Sequence, residues 1–274
     1  MDAPSELQKE LPPTGLFKLV DPEHADLDIV FIHGFTGHPE KTWTCKQGVS
    51  TPSTDRASTQ RPSKRQKLSH SREDTAPPVF WPRDILPSTA PNARIFTFGY
   101  ETHISHAFCK TPSKSSVYDI AWDFLVRLDA KRQAERSRPL LFIVHSLGGV
   151  LIKEALRQSR DCENHQSDFH NIYLSTQAII FFGTPHGGAD PRELLHHVAE
   201  SVVRVVRCPV NQQVVDMLLP TSAQLQELRH DFGLMARQKN WIIFSFQEQY
   251  GTKVLGGRKV TFSDSIDATS FNSF

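Results

Sequence analysis

Apolar residues in this chain fall into short unbroken runs set between polar or glycine-rich stretches. The runs at residues 29–32 (IVFI), 93–98 (ARIFTF), 140–144 (LLFIV), 178–182 (AIIFF) and 241–246 (WIIFSF) are too short to cross a membrane. Those at 29–32, 140–144 and 178–182 suit buried strands, and those at 93–98 and 241–246 read as strands of the same sheet. Residues 16–20 add a short edge strand. Between the runs the apolar period changes to that of a helix. From Ser116 to about Arg136 the positions Val117, Ile120, Ala121, Phe124, Leu125 and Leu128 share one face, and Ser116 with Asp119 forms a capping box at the start. Leu225, Leu228, Phe232 and Met235 repeat in the same way. A short amphipathic helix is expected at residues 80–87, a polar connection at 159–175 with surface histidines His165 and His170, and an apolar helix at 194–206 that would cap the site. His196 and His197 lie on that last helix and read as surface or half-buried residues. Strands alternating with helices imply a doubly wound, mainly parallel sheet, with its site at the carboxyl ends of the strands.

The run at 140–144 carries the chemistry. It passes directly into His145-Ser146-Leu147-Gly148-Gly149, after which Val150, Leu151 and Leu156 read as helical. A serine on a tight strand-to-helix turn is lifted above the sheet as a nucleophile, the G-x-S-x-G elbow, here with Val144 in the place of the first glycine. The run at 29–32 ends in His33-Gly34-Phe35, where glycine lets the backbone turn an amide toward a substrate carbonyl. Phe35 N–H and Leu147 N–H become oxyanion donors, each worth about 3 kcal/mol to the transition state. His33 and Gly34 are expected to line the substrate. His33, Ser146, His186 and Glu248 each follow an apolar run and should meet on one sheet edge.

Residues 46–78 interrupt this pattern. They are rich in Ser, Thr, Pro, Gln, Lys and Arg, bury little, and read as a disordered insertion. Within them residues 61–67 (RPSKRQK) read as a solvated linker ahead of a nuclear-localisation signal. With 31 Lys+Arg against 30 Asp+Glu the net charge is +1, so no global field draws nucleic acid or membrane. Cys45, Cys109, Cys162 and Cys208 are far apart and lack metal-type spacing, which suits a reducing compartment. The first fifteen residues form no secretory core, and no run approaches the roughly 18 residues of a membrane span. An intracellular soluble protein without cofactor or metal is expected.

Three patches taken together, residues 28–43 (DIVFIHGFTGHPEKTW), 142–155 (FIVHSLGGVLIKEA) and 181–190 (FFGTPHGGAD), resemble the serine-active-site-containing, lipase-like α/β hydrolases, a domain that fungi carry at the front of nucleotide-binding and repeat proteins. The resemblance runs from about residue 14 to 250. It implies an α/β-hydrolase fold over residues 14–258, between a flexible N-terminus (1–13) and an irregular tail (259–274). It also implies Ser146 as nucleophile and Glu248 as the triad acid, and an acyl ester or lipid-like substrate, with mitochondrion or endoplasmic reticulum as alternative locations. On this fold the order is Ser, then acid, then His, yet no histidine follows Glu248. The C-terminal end is therefore expected to stop short of the closing strand and its histidine. A serine without a base stays protonated. His186 is then the stand-in base of an esterase, and the alternative is a non-catalytic module that binds protein partners on the same scaffold.

Overall fold

The computed structural model describes residues 10–35, 37–45, 77–101, 116–164, 168–184, 186 and 223–246. Most of the insertion, the basic cluster, His165, residues 194–206 with His196 and His197, Glu248 and the tail lie outside the described residues.

Among the described residues eight strands follow in chain order: β1 (Gly15–Val20), β2 (Leu27–Ile32), β3 (Thr44–Cys45), β4 (Val79–Phe80), β5 (Ala93–Gly99), β6 (Leu140–His145), β7 (Thr176–Phe182) and β8 (Ile242–Phe246). The helices are α1 (Trp81–Asp84), α2 (Leu86–Thr89), α3 (Val117–Arg132), α4 (Leu147–Asp161), α5 (His170–Ser175) and α6 (Ala223–Lys239). Six strands make one sheet in the order β1–β5–β2–β6–β7–β8, with β1 antiparallel to β5 and every other pair parallel. One antiparallel edge strand on a parallel sheet, with a serine turn after a central strand, is the α/β-hydrolase fold.

Burial on both faces explains the apolar runs of β2 and β6, whereas β8 leaves Ile242, Phe244 and Phe246 exposed. In β2, Val30 and Ile32 join the core under α3, α4, α5 and α6, while Ile29 and Phe31 join the core on the other face with Trp43, Phe80 and Trp81. In β6, Phe142 and Val144 point one way and Ile143 the other. Each such side chain, fully buried, contributes about 1.5–3 kcal/mol. The stripe Leu225, Leu228, Phe232 and Met235 is buried on α6, and the Ser116–Asp119 capping box opens α3.

Three local expectations differ from the structure. In place of one helix at 80–87 there are two single turns, α1 and α2, because Pro82 and Pro87 each sit at the start of a turn, where a missing N–H is tolerated. Residues 159–175 hold a helix, α5, pinned by Ser159 Oγ, which donates to the Phe169 carbonyl at 2.5 Å and accepts from Tyr173 N–H at 2.9 Å. Helix α3 stops at Arg132, whose guanidinium turns into the protein toward Asp28. The short ribbon of β3 and β4 pairs Thr44 with Phe80 and Cys45 with Val79, so the long stretch between them begins and ends at adjacent points.

Asp28 opens β2 at the edge opposite the site and is fully buried. Arg94 grips it with two bonds of 2.8 Å, Arg132 donates to it, and Arg138 lies 3.3 Å away. At the other edge the connections of β2 and β6 diverge. From β2 the chain moves to β5 on one side, and from β6 to β7 on the other. The crevice at such a divergence is where parallel sheets bind ligands. Among the described residues no helix is long and apolar enough to cross a membrane.

Candidate active site

Ser146 stands between β6 and α4 with φ 50° and ψ −119°. Such a left-handed conformation costs a non-glycine residue about 1–3 kcal/mol. A serine beginning a helix ordinarily repays its place by capping, yet the Ser146 side chain makes no cap bond. The backbone holds the strain in place: Ser146 N–H donates to the Phe182 carbonyl at 2.8 Å, and the Ser146 carbonyl accepts from Gly149 N–H at 2.9 Å and from Thr184 Oγ1 at 3.2 Å. Val144 takes the place of the usual glycine without conflict. It is an ordinary, fully buried strand residue paired with Ile32 and Phe181, and its φ is not positive.

The elbow is packed against the end of β2. A Cβ added to Gly148 would come 2.5 Å from the His33 carbonyl oxygen, and one added to Gly34 would come 2.8 Å from Ser146 Cβ. Both positions admit only glycine. Beyond Gly34 the chain turns, with Gly37 N–H donating to the Gly34 carbonyl at 3.0 Å and Phe35 in the second position of the turn. Leu147 is the first residue of α4, so its N–H has no acceptor within the helix. The two expected oxyanion donors thus stand on loops that touch at Gly34 and Ser146.

His33 departs from its expected place against substrate. It is fully buried, its ring stacked on Tyr100 with centroids 4.4 Å apart. Nδ1 lies 2.8 Å from the Gly34 carbonyl and Nε2 accepts Tyr100 N–H at 3.2 Å, which requires the neutral ring with its proton on Nδ1. Burial lowers its pKa to about 4. Tyr100 also donates its hydroxyl to the His33 carbonyl at 2.8 Å, and burial raises its pKa. Tyr100 is a site residue that sequence reasoning passed over, and its place directly after the glycine that ends β5 was the only signal. Gly34 keeps its expected place beside Ser146.

His186 departs from the role of stand-in base. Its Nδ1 lies 2.9 Å from Lys153 Nζ and its Nε2 3.2 Å from Ser245 Oγ, and its ring stands edge-on to Phe181. Both nitrogens are engaged away from Ser146 in this arrangement, and burial lowers the ring's pKa to about 3. His145 packs edge-on toward Trp43 at 6.5 Å. Glu248 lies outside the described residues, just beyond the end of β8. Among the described residues no group of three or more His, Cys, Asp and Glu is arranged to hold a metal ion.

No protein-family model matches the chain. It is similar to the protein SERAC1 of Bos taurus, 28% identical over 229 residues, which are 83% of this chain and 31% of that protein. The protein SERAC1 of Danio rerio is 27% identical over 230 residues, with the same coverage of 83% and 31%. The chain therefore spans about a third of the length of the relatives it matches. Among solved structures it is similar to the lipase BlEst2 of Bacillus licheniformis (16% identity, 89% of this chain and 75% of that one, TM-score 0.48). It is also similar to the phospholipase PlaB of Legionella pneumophila (13% identity, 81% and 39%, TM-score 0.49).

Proposed function

We propose that this domain is a serine hydrolase that cleaves acyl esters through Ser146. The observation that carries this reading is the strained backbone of Ser146 combined with a side chain that caps nothing. A turn with a purely structural task would relax with glycine or use the hydroxyl. Strain of this kind concentrates where a group must be presented to a reactant. In the proposed step Ser146 Oγ attacks the ester carbonyl carbon and gives its proton to a histidine base. The C=O pair moves onto oxygen, and Phe35 and Leu147 N–H groups receive that charge. The tetrahedral intermediate then collapses as the base protonates the departing alcohol, leaving an acyl-serine for water to open. Glu248 is proposed to orient the base. The base is a histidine other than His33, which is sealed against Tyr100, and His186, which Lys153 and Ser245 hold.

A second reading, a non-catalytic interaction module, is favoured by the same engagement of His186. One experiment separates the two. The purified chain is treated with a fluorophosphonate probe and assayed on p-nitrophenyl acyl esters, with Ser146→Ala as control. Labelling that maps to Ser146 and vanishes in the variant is the expected result. A correctly folded chain that neither labels nor hydrolyses would overturn the enzyme reading and leave the module.

A further inference from the structure

Lys153 is the least expected residue in the core. It is 2% exposed, seven residues along α4 from Ser146, with its ammonium 5.5 Å from the Phe181 ring centroid and 5.2 Å from that of Phe232. Among the described residues no carboxylate acts on it; the charged group that does is Arg229. Burying an unpaired ammonium is expensive, and a methionine would fill the same space without that cost. Its Nζ lies 2.9 Å from His186 Nδ1.

That bond closes a chain of contacts running back to the candidate nucleophile. At the end of β7, Phe182 accepts from Ser146 N–H, and Gly183 N–H donates to the Phe246 carbonyl of β8 at 2.8 Å. Thr184 then donates its hydroxyl to the Ser146 carbonyl at 3.2 Å and fills the space beside Gly149, where an added Cβ would lie 2.2 Å from Thr184 Oγ1. Two residues further His186 is held from both sides, by Lys153 of α4 and by Ser245 of β8. We propose that Lys153 and His186 form a latch that holds Thr184 and His186, just after β7, against α4 and β8, and that Thr184 thereby fixes the carbonyl of Ser146. Both are positioning residues, since neither reaches the reacting atoms.

The latch selects one form of the imidazole. Burial, and after it the charge of Arg229, lowers the Lys153 pKa to about 7; below that pH its ammonium donates to Nδ1, so the ring proton sits on Nε2 and is donated to Ser245 Oγ. Burial, and after it the charge of Lys153, disfavours a second proton on His186. The other charged group acting on the pair is Arg229 of α6.

The effect on catalysis rests on Ser146 being the nucleophile, whereas the latch itself does not, so two readouts are needed. The first is imidazole nitrogen NMR of the full chain across pH 4–8, in which the range below about pH 7, where Lys153 carries its proton, decides the tautomer. It should show His186 as the Nε2–H tautomer without titration, and Lys153→Met should release it to a mixture that titrates nearer its ordinary 6.5. A wild-type His186 that titrates near 6.5 would overturn the latch, whatever the probe does. The second is the kinetics of fluorophosphonate labelling of Ser146. Lys153→Met and His186→Gln should each slow the bond-forming step by about tenfold to a hundredfold, with half-saturation unchanged. The double variant should be no slower than either single one, as for two parts of one device. Thr184→Val should slow labelling while leaving the His186 tautomer intact, which separates the latch from general loosening of the fold. Unchanged or additive rates would overturn the positioning role. If the wild type does not label at all, the hydrolase reading fails and the NMR result still decides the latch.

Discussion

His33 lies flat on Tyr100, ring planes within 4° and centroids 4.4 Å apart, and Tyr100 donates two hydrogen bonds to it, from its backbone N–H to Nε2 and from its hydroxyl to the His33 carbonyl. One residue follows β2 and the other follows β5, so the pair ties neighbouring strands together next to the turn that carries Phe35. The amide expected to receive an oxyanion therefore stands on a braced loop. Preorganisation of this kind lets a donor act without moving during the reaction.

Tyr100→Phe tests that brace with the least disturbance. The stack survives, but the His33 carbonyl loses the hydroxyl donor at 2.8 Å. A buried acceptor left unpaired costs about 1–3 kcal/mol, so the unfolding free energy should fall by that amount, seen as a lower urea midpoint with an unchanged slope. Fluorophosphonate labelling should slow by more than the small change in folded population explains. An unchanged labelling rate would show that the loop does not depend on the hydroxyl.

Acid should unlock the same brace. The pKa of His33 is lowered chiefly by burial, from 6.5 to about 4. A depressed folded pKa means that the unfolded chain binds the proton first. The contribution is complete above pH 6.5 and is lost as pH falls through about 4, a span worth about 3 kcal/mol. His186, lowered to about 3, extends the loss to lower pH. Chemical denaturation at pH 7 and pH 4.5 should show a smaller difference for His33→Asn than for the wild type. Equal differences would mean that His33 is not the group that titrates.

Much of this was legible in the chain because two periods coincide with two kinds of burial. The strands at 29–32 and 140–144 are continuous apolar runs because both of their faces are covered, and the serine turn is marked by its glycines. Helix α5 was hidden because its buried side chains, Ile172 and Tyr173, are too few to display a period, and its anchor is Ser159, distant in sequence. The site was readable where a residue follows its strand directly, as Ser146 and Phe35 do. It was misread where the outcome depends on partners far along the chain. His33 looks like a site residue until Tyr100 is found beneath it, and His186 looks like a base until Lys153 and Ser245 occupy its nitrogens.

Asp28 offers a contrast at the opposite edge. Three arginines converge on one fully buried carboxylate. Asp28→Asn would leave buried guanidinium charge uncompensated, and breaking such a cluster costs about 3–5 kcal/mol. The melting temperature should drop, while the labelling rate of the remaining folded protein, measured in the cold, stays that of the wild type. A selective loss of labelling would mean that the two edges of the sheet are coupled.

Ser146→Gly separates the cost of the elbow from its use. With φ 50° and ψ −119°, Ser146 occupies a region that glycine enters without steric penalty. Removing Cβ should relieve part of the roughly 1–3 kcal/mol of strain, and the absence of a cap bond means that no hydrogen bond is lost in exchange. Glycine also makes the unfolded chain more flexible, which takes back up to about 1 kcal/mol. Ser146→Ala keeps the strained backbone and removes only the hydroxyl. Both variants should lose fluorophosphonate labelling, but Ser146→Gly should unfold at higher denaturant than Ser146→Ala. If the two unfold together, the turn is not strained and the serine's conformation ceases to argue for catalysis. If glycine stabilises while labelling disappears, stability has been given up at this position to present a nucleophile.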